Sequence, residues 1–364
     1  MKVLFKTLFL LISLNILVFA NSSYKTEEIV SGLGVIWGMD FLDEKTAILT
    51  QKDGKVFILN LKNKELEEVK NPPKVMYRGQ GGLLDIKISP NYKEDSWIYL
   101  TFVKSVKSQG VTTLARVKLD GNSFFDYEEL LVTKSATSTT RHFGSRITFD
   151  EKGHLFFSIG DRGERDNAQN LLNHAGSIIR LNLDGTIPED NPFINKKKAL
   201  KEIYSYGHRN PQGIFYDKKK DILWAIEHGP RGGDEVNMIL KGANYGWPVI
   251  SYGKEYWSPM AVGEGTHKKG MLQPKKYYVP SIAPSSLIVY DGDVYKELKG
   301  KLLAGSLKLT HINILTLNQD NNIVKESRVL ENLAQRIRNI VQSPDGLIYI
   351  CTDSGKILLL KPKF

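Results

Sequence analysis

Apolar residues along the chain come in short runs rather than in long amphipathic stripes. Six runs share one form, a turn followed by a strand-length apolar segment and then a polar loop: TAILT (46–50), WIYLT (97–101), HLFFS (154–158), ILWAI (222–226), KLLAG (301–305) and LIYIC (347–351). Runs of this length read as buried strands, and no segment after residue 20 sustains a long helical period. Their starts lie roughly 45 to 80 residues apart, the span of a four-stranded antiparallel blade with variable insertions. The stretch SPDGLIYICTDSGKILLL (343–360) shows the unit clearly. Ile348 and Ile350 alternate with Tyr349 and Cys351, a Ser-Gly turn follows, and residues 357–360 return as the partner strand. The segment QKDGKVFIL (51–59) has the same shape near the other end. The pattern predicts an all-β chain, a six-bladed β-propeller whose first strand closes against its last and leaves only short edges. A pair of β-sandwich domains would need a linker, and no Pro/Ser/Gly-rich or charged boundary divides the chain.

Composition narrows the setting. At 364 residues and 41% hydrophobic the chain has ample material for a core. Residues 1–20 read as a secretory signal peptide: Lys2 and Lys6 precede an apolar run over 8–19, which closes on the small-x-small pattern Val18-Phe19-Ala20. That run is short for a membrane span, and no other approaches ~18 residues. Residues 21–364 are therefore expected to form a single exported propeller domain in a periplasm, without stable membrane insertion. The one cysteine, Cys351, lies in an apolar strand, so no disulfide framework exists. The net charge of +10 makes the chain basic. Its lysine clusters at 196–198 and 218–220 lack interleaved aromatics and read as solvated loops rather than a nucleic-acid surface.

Candidate chemistry concentrates between residues 207 and 248, in the blocks GHRNPQG (207–213), EHGPRGGDEVN (227–237) and GANYGWP (242–248). Gly229, Gly232 and Gly233 let the backbone turn carbonyls toward a ligand, and Asp234 and Glu235 add hard oxygens of the kind calcium prefers. A cation site is expected there, the plainer alternative being a tight turn with a solvated acidic pair. Propeller loops converge at one mouth of the channel, so a site would be assembled from the whole chain. Gln80 in GQGGLLD (79–85), His142 in RHFGSR (141–146), Asp161 in SIGDRG (158–163), and Arg209 with Asn210 are the polar candidates. His142 is the candidate base, since imidazole accepts and releases protons near neutrality. Asp161 is its expected partner, fixing the tautomer and stabilising the imidazolium. Lys308, Arg336 and Arg338 add positive charge. The two arginines, two apart on a strand, share a face and could clamp a carboxylate, or they could mark a wet strand face. GxSxG, HExxH and CxxC patterns are absent, which removes the corresponding hydrolase, zinc and dithiol classes.

In order, the motifs GQGGLLD, HFGSR, GDRG, GHRNPQG, EHGPRGGDEVN and GANYGWP resemble the soluble pyrroloquinoline quinone (PQQ) dependent glucose dehydrogenase family. They are most similar to its shorter branch, the periplasmic aldose sugar dehydrogenases, over essentially the whole mature chain. The resemblance implies a six-bladed propeller with PQQ at the channel mouth. It implies oxidation of the C1 hydroxyl of an aldose sugar to a lactone, with electrons passed on to an external acceptor that the sequence leaves unknown. By the same resemblance His142 takes the C1 hydroxyl proton, Asp161 orients it, and Arg209 stabilises charge on the quinone oxygen. Gln80, Asn210, Lys308, Arg336 and Arg338 fall at quinone-contacting positions. The carbonyls of Gly229 and Pro230 would bind a Ca2+ that polarises PQQ, and Glu235 and Tyr245 a second, structural Ca2+. His228 stands where glucose dehydrogenase has a glutamine, and that enzyme's large insertions are missing, so a glucose preference is not implied. A monomer or a homodimer is compatible with the sequence. A calcium-dependent propeller lactonase and a non-catalytic carbohydrate-binding propeller are the competing classes.

Overall fold

The computed structural model describes residues 24–363; the signal-peptide expectation lies outside the described residues. Six four-stranded antiparallel sheets are arranged as the blades of a propeller. Each of the six apolar runs is the second strand of a blade: Thr46–Gln51, Ile98–Val106, His154–Ile159, Ile222–Glu227, Leu302–Ser306 and Ile348–Thr352. A second strand is hydrogen-bonded on both edges and covered by neighbouring blades on both faces. It therefore reads as a continuous apolar run. Trp224 and Ile226 of one such strand pack with Leu287 and Leu302 of the next blade. Cys351 is buried in a cluster with Met39, where desolvation pushes its thiol up to about 12, so it is a packing residue.

The inner strands Ile36–Phe41, Leu83–Ile88, Ile147–Phe149, Pro211–Asp217, Pro284–Val289 and Ile337–Gln342 come from six different blades. They approach one another too closely for ordinary side chains at some points. A Cβ on Gly38 would lie 2.8 Å from the Asp85 carboxylate, and one on Gly213 would lie 2.7 Å from the Leu287 nitrogen. The ring closes as expected. The N-terminal strand Tyr24–Val30 pairs antiparallel with Ile357–Pro362 and completes the last blade. The outer strands Leu66–Glu68 and Lys276–Tyr278 are short, but Ser123–Val132 runs for ten residues, so the edges are not uniformly short as expected. Among the described residues no helix is long and apolar enough to cross a membrane.

Candidate active site

His142 lies on the loop entering the inner strand of the third blade, in a left-handed conformation with φ 58°. Its backbone N–H donates to Gln80 Oε1 at 2.7 Å, so a loop of the preceding blade fixes its position. Asp161 leaves the end of the adjacent strand, and His142 Nδ1 meets its Oδ1 at 2.6 Å. The same oxygen accepts the Gly163 N–H at 2.7 Å, and Oδ2 accepts the Trp247 indole N–H at 2.8 Å. Asp161 is thereby held from three directions and cannot rotate away. With Nδ1 occupied, Nε2 is the ring nitrogen left for the adjoining cavity, which Arg141, Arg209 and Trp247 also line. Burial lowers the proton affinity of His142, and Arg209 adds to the effect against the pull of Asp161. Burial works to raise the Asp161 carboxyl, but His142, Arg209 and the Gly163 N–H outweigh it and hold it below its usual range. The pair is a neutral imidazole on an ionised carboxylate, the resting state a general base needs.

The cationic side of the site is built on Asp353. Arg336 Nε donates to Asp353 Oδ2 at 2.8 Å, and Arg338 Nε and Nη2 reach Oδ1 and Oδ2 at 2.7 and 3.1 Å. The two arginines do share a face, and the carboxylate they hold is the chain's own. Burial would raise Asp353, yet the two guanidiniums keep it below its ordinary value. Gln80, Asn210, Lys52, His228 and both arginines line one cavity with Asp353. The Gln80 carbonyl is taken by His142, and Asn210 Oδ1 accepts the Gly144 N–H at 3.2 Å. Their amide nitrogens are the donors left over. Lys308 does not line this cavity; it is exposed and lines a neighbouring one with Gly229, Pro230 and His228.

The glycine-rich loop divides its two acids. Asp234, expected to offer its oxygens to a cation, has both of them engaged by the chain's own donors. Its Oδ1 accepts the Gly229 N–H at 2.9 Å, and its Oδ2 accepts Ser281 Oγ, Ile282 N and Ala283 N at 2.7, 2.8 and 3.0 Å. A buried carboxylate with four donors braces the loop that presents the Gly229 and Pro230 carbonyls. Glu235 is different. Burial and the facing carboxylate of Glu227 push it up to about 8, and only Asn237 Nδ2 donates to it, at 3.2 Å. Asn237 Oδ1 is buried with no donor of its own. The Tyr245 hydroxyl is fully used, donating to Met238 O at 2.6 Å and accepting from Leu240 N at 2.8 Å. Tyr245 can therefore offer a ligand only through its backbone oxygen.

The family model for glucose/sorbosone dehydrogenases matches residues 33–361. The aldose sugar dehydrogenase YliI of Escherichia coli strain K12 is 35% identical over 342 residues, covering 89% of this chain and 91% of its own. The chain belongs to the glucose/sorbosone dehydrogenase family. Quinoprotein glucose dehydrogenase B of Acinetobacter calcoaceticus is 26% identical over 403 residues, 88% of this chain and 83% of that one. The crystal structure of the soluble aldose sugar dehydrogenase from Escherichia coli in its apo-form superposes with a TM-score of 0.90 at 33% identity, over 93% of this chain and 100% of that one.

Within this glucose/sorbosone dehydrogenase fold, several site residues escaped sequence reasoning. Trp247, Asp353 and Lys52 each carry a polar group into the site from a distant part of the chain. Glu227 ends a strand and accepts both the His208 ring N–H, at 2.9 Å, and the Arg209 backbone N–H, at 2.7 Å. It thus sets the Arg209 backbone. Arg162, inside the GDRG motif, is wholly buried. It donates to Arg141 O at 2.9 Å and Gly110 O at 3.0 Å and lies 3.6 Å over the Phe143 ring, pinning the loop that carries His142. Its only sequence signal was an arginine beside the acid.

Proposed function

We propose that this chain oxidises the C1 hydroxyl of aldose sugars to lactones with PQQ and Ca2+ as cofactors, passing the electrons to an external acceptor after export. The observation that carries this reading is the His142–Asp161 pair at 2.6 Å, opening beside a cavity lined by Lys52, Arg336 and Arg338. PQQ carries three carboxylates and a quinone, so cations and free amide donors around a channel mouth match its charge. Arg336, Arg338, Gln80 and Asn210 would hold it from this cavity, and Lys308 would reach it from the neighbouring one. The donor sets also suit calcium. Two facing buried carboxylates and an orphaned amide oxygen at Glu235, Glu227 and Asn237 call for a cation, and the braced carbonyls of Gly229 and Pro230 offer a second place. Among the described residues no cluster of three or more His, Cys, Asp or Glu side chains could hold a metal. Carbonyl and amide oxygens would complete the shells, which calcium accepts.

When bound, the quinone with its cation supplies the two-electron acceptor. The chain's own residues supply the rest. His142 Nε2 takes the proton of the sugar hydroxyl, and the imidazolium that forms is stabilised by Asp161 at Nδ1. Trp247 and Gly163 keep Asp161 from turning to solvent. Arg209, with its guanidinium 5.3 Å from the Trp247 ring and Nη1 on His228 O at 3.3 Å, directs positive charge at developing oxyanion character. His228 is pushed down to about 3 by burial and by Arg209, so it remains a neutral wall and does not compete for the proton. The test is reconstitution of the purified protein with PQQ and Ca2+, followed by a panel of aldoses with an artificial electron acceptor. Sugar-dependent reduction of the acceptor is expected. A reconstituted protein that binds the quinone but reduces no acceptor with any aldose would sink the reading.

A further inference from the structure

A hairpin lies along the cavity that His142 and Asp161 line. Residues 254–261 fold back on themselves through the Lys254–Ala261 bridge and a Glu255 N–H to Met260 O bond of 2.9 Å. The base is tied to the glycine-rich loop by reciprocal backbone bonds between Arg231 and Lys254, at 3.1 and 3.2 Å. The tip leaves Tyr256, Trp257 and Met260 at 61%, 72% and 63% exposure, an unusual display of large apolar surface. Glu255, immediately before them in sequence, is only 8% exposed. Its carboxylate takes a two-point contact from Arg165, Nη1 to Oε1 at 2.6 Å and Nη2 to Oε2 at 2.7 Å.

That ion pair joins two loops 90 residues apart, and its surroundings show what it positions. The Arg165 guanidinium lies 5.5 Å from the Trp247 ring and 5.7 Å from the Trp257 ring. Trp247 is the indole that anchors Asp161. Trp257 and Tyr256 line the cavity that holds His142 and Asp161. Tyr256 also lines the neighbouring cavity, where its hydroxyl donates to Pro230 O at 3.1 Å. One guanidinium, fixed at both nitrogens, therefore sets the distance between the hairpin tip and the acid-base pair.

We propose that Arg165 and Glu255 are positioning residues, a clamp that holds the hairpin across the mouth so that Trp257 walls the cavity over His142 and Tyr256 stays on the Pro230 carbonyl. The ligand that the wall meets is a pyranose ring, whose C–H face packs on an exposed indole while its hydroxyls reach the polar floor. The identity of that ligand, but not the clamp itself, rests on the dehydrogenase reading above. The fork geometry matters: a lysine at position 165 could satisfy one oxygen of Glu255, not both.

Two measurements test the clamp on the full chain. Hydrogen exchange of the cofactor-free protein reads the hairpin directly. Glu255→Gln and Arg165→Gln should each speed exchange over residues 254–261 by about tenfold, with the strand His154–Ile159 unchanged, as for release of one local contact. Kinetics of the PQQ- and Ca2+-loaded protein read the consequence. Aldose KM should rise about tenfold in either variant with a much smaller change in kcat, because wall and acid-base pair are separate. Arg165→Lys should recover part of that loss. The double variant Arg165→Gln/Glu255→Gln should match the singles, since the two side chains act as one unit. Additive losses in the double variant, or unaltered exchange over 254–261 in both singles, would overturn the clamp. A parent protein that oxidises no aldose would defeat the dehydrogenase reading instead, and the exchange measurement would still decide the clamp.

Discussion

His142 is pulled in opposite directions, by burial and Arg209 toward the neutral ring and by Asp161 toward the charged one, with the neutral ring favoured. A base is active when deprotonated, so kcat/KM should rise with pH and level off, with its midpoint below the ordinary histidine value of ~6.5. The limb should disappear in His142→Ala, with turnover reduced by ~10²–10⁴ while PQQ and Ca2+ remain bound. Asp161→Asn should lose much of the rate as well, because an amide cannot stabilise the imidazolium. Stopped-flow reduction of the bound quinone by excess aldose measures all three, and quinone reduction at the parent rate in His142→Ala would remove the base assignment. Arg338 carries a second expectation at this scale. It bridges Asp353 and, through Nη1 at 3.3 Å, Gln212 Oε1. Arg338→Ala should weaken PQQ binding by at least about tenfold, from loss of a charge-assisted contact of ~1.5–3 kcal/mol. Arg338→Lys should rescue only part, since a point charge cannot hold both partners. Wild-type affinity in equilibrium titration of Arg338→Ala would place the ligand elsewhere.

Strands and loops differ in how much of them the sequence discloses. The second strand of each blade was legible because both its faces are buried, as in ILWAIE (Ile222–Glu227). The outer strand Ile323–Val329 was not, since IVKESRV sits half in water and carries no apolar run. Among site residues, His142 and Asp161 were readable as a base and an acid at the ends of local motifs, 19 residues apart. Trp247, 86 residues from Asp161, was not, because it arrives on a long loop of the next blade; Asp353, 15 residues beyond Arg338, was not, because only the pairing of Ile337–Gln342 with Ile348–Thr352 sets it beside the arginines. Asp234 misled because a buried carboxylate that braces a loop and one that binds a cation look alike in a linear string. The glycine-rich loop yields its own expectation. Burial and Glu227 hold Glu235 toward its neutral form without a cation, and a bound Ca2+ would favour the charged form, so chelation of calcium should lower the melting temperature and readdition should restore it, with a few kcal/mol of linkage when free Ca2+ exceeds Kd ~100-fold. Calorimetry on chelated protein that melts like the calcium-loaded form would count against a cation there.

At the scale of the whole molecule, one buried side chain touches every blade. Arg146 enters from the third blade and reaches Trp37 O at 3.3 Å in the first, Asp85 Oδ1 at 2.7 Å in the second and Gln212 O at 3.3 Å in the fourth. It reaches Ser285 O at 3.3 Å in the fifth and Arg338 O at 3.4 Å in the sixth. Asp85, also buried, accepts the Ile147 N–H at 2.8 Å through its second oxygen. A guanidinium has five donors in a planar fork, so it can tie converging inner strands that present four carbonyls and one carboxylate to it. Arg146→Met keeps much of the bulk and removes the charge, leaving the buried Asp85 carboxyl without its counter-ion, where burial alone drives it toward the protonated form. The expected penalty is about 3–5 kcal/mol, read as a lower midpoint in denaturant. Arg146→Met/Asp85→Leu removes both charges and should recover most of that stability, because the single variant's penalty is chiefly the stranded carboxyl. Function should not recover with it. The Arg338 and Gln212 carbonyls lose their common donor in both variants, so PQQ affinity should stay reduced in the double variant although its fold is restored. Equal midpoints for Arg146→Met and the parent would show that the strands hold the ring without the tie, and parent-like PQQ affinity in the double variant would uncouple the ring's axis from the site at its mouth.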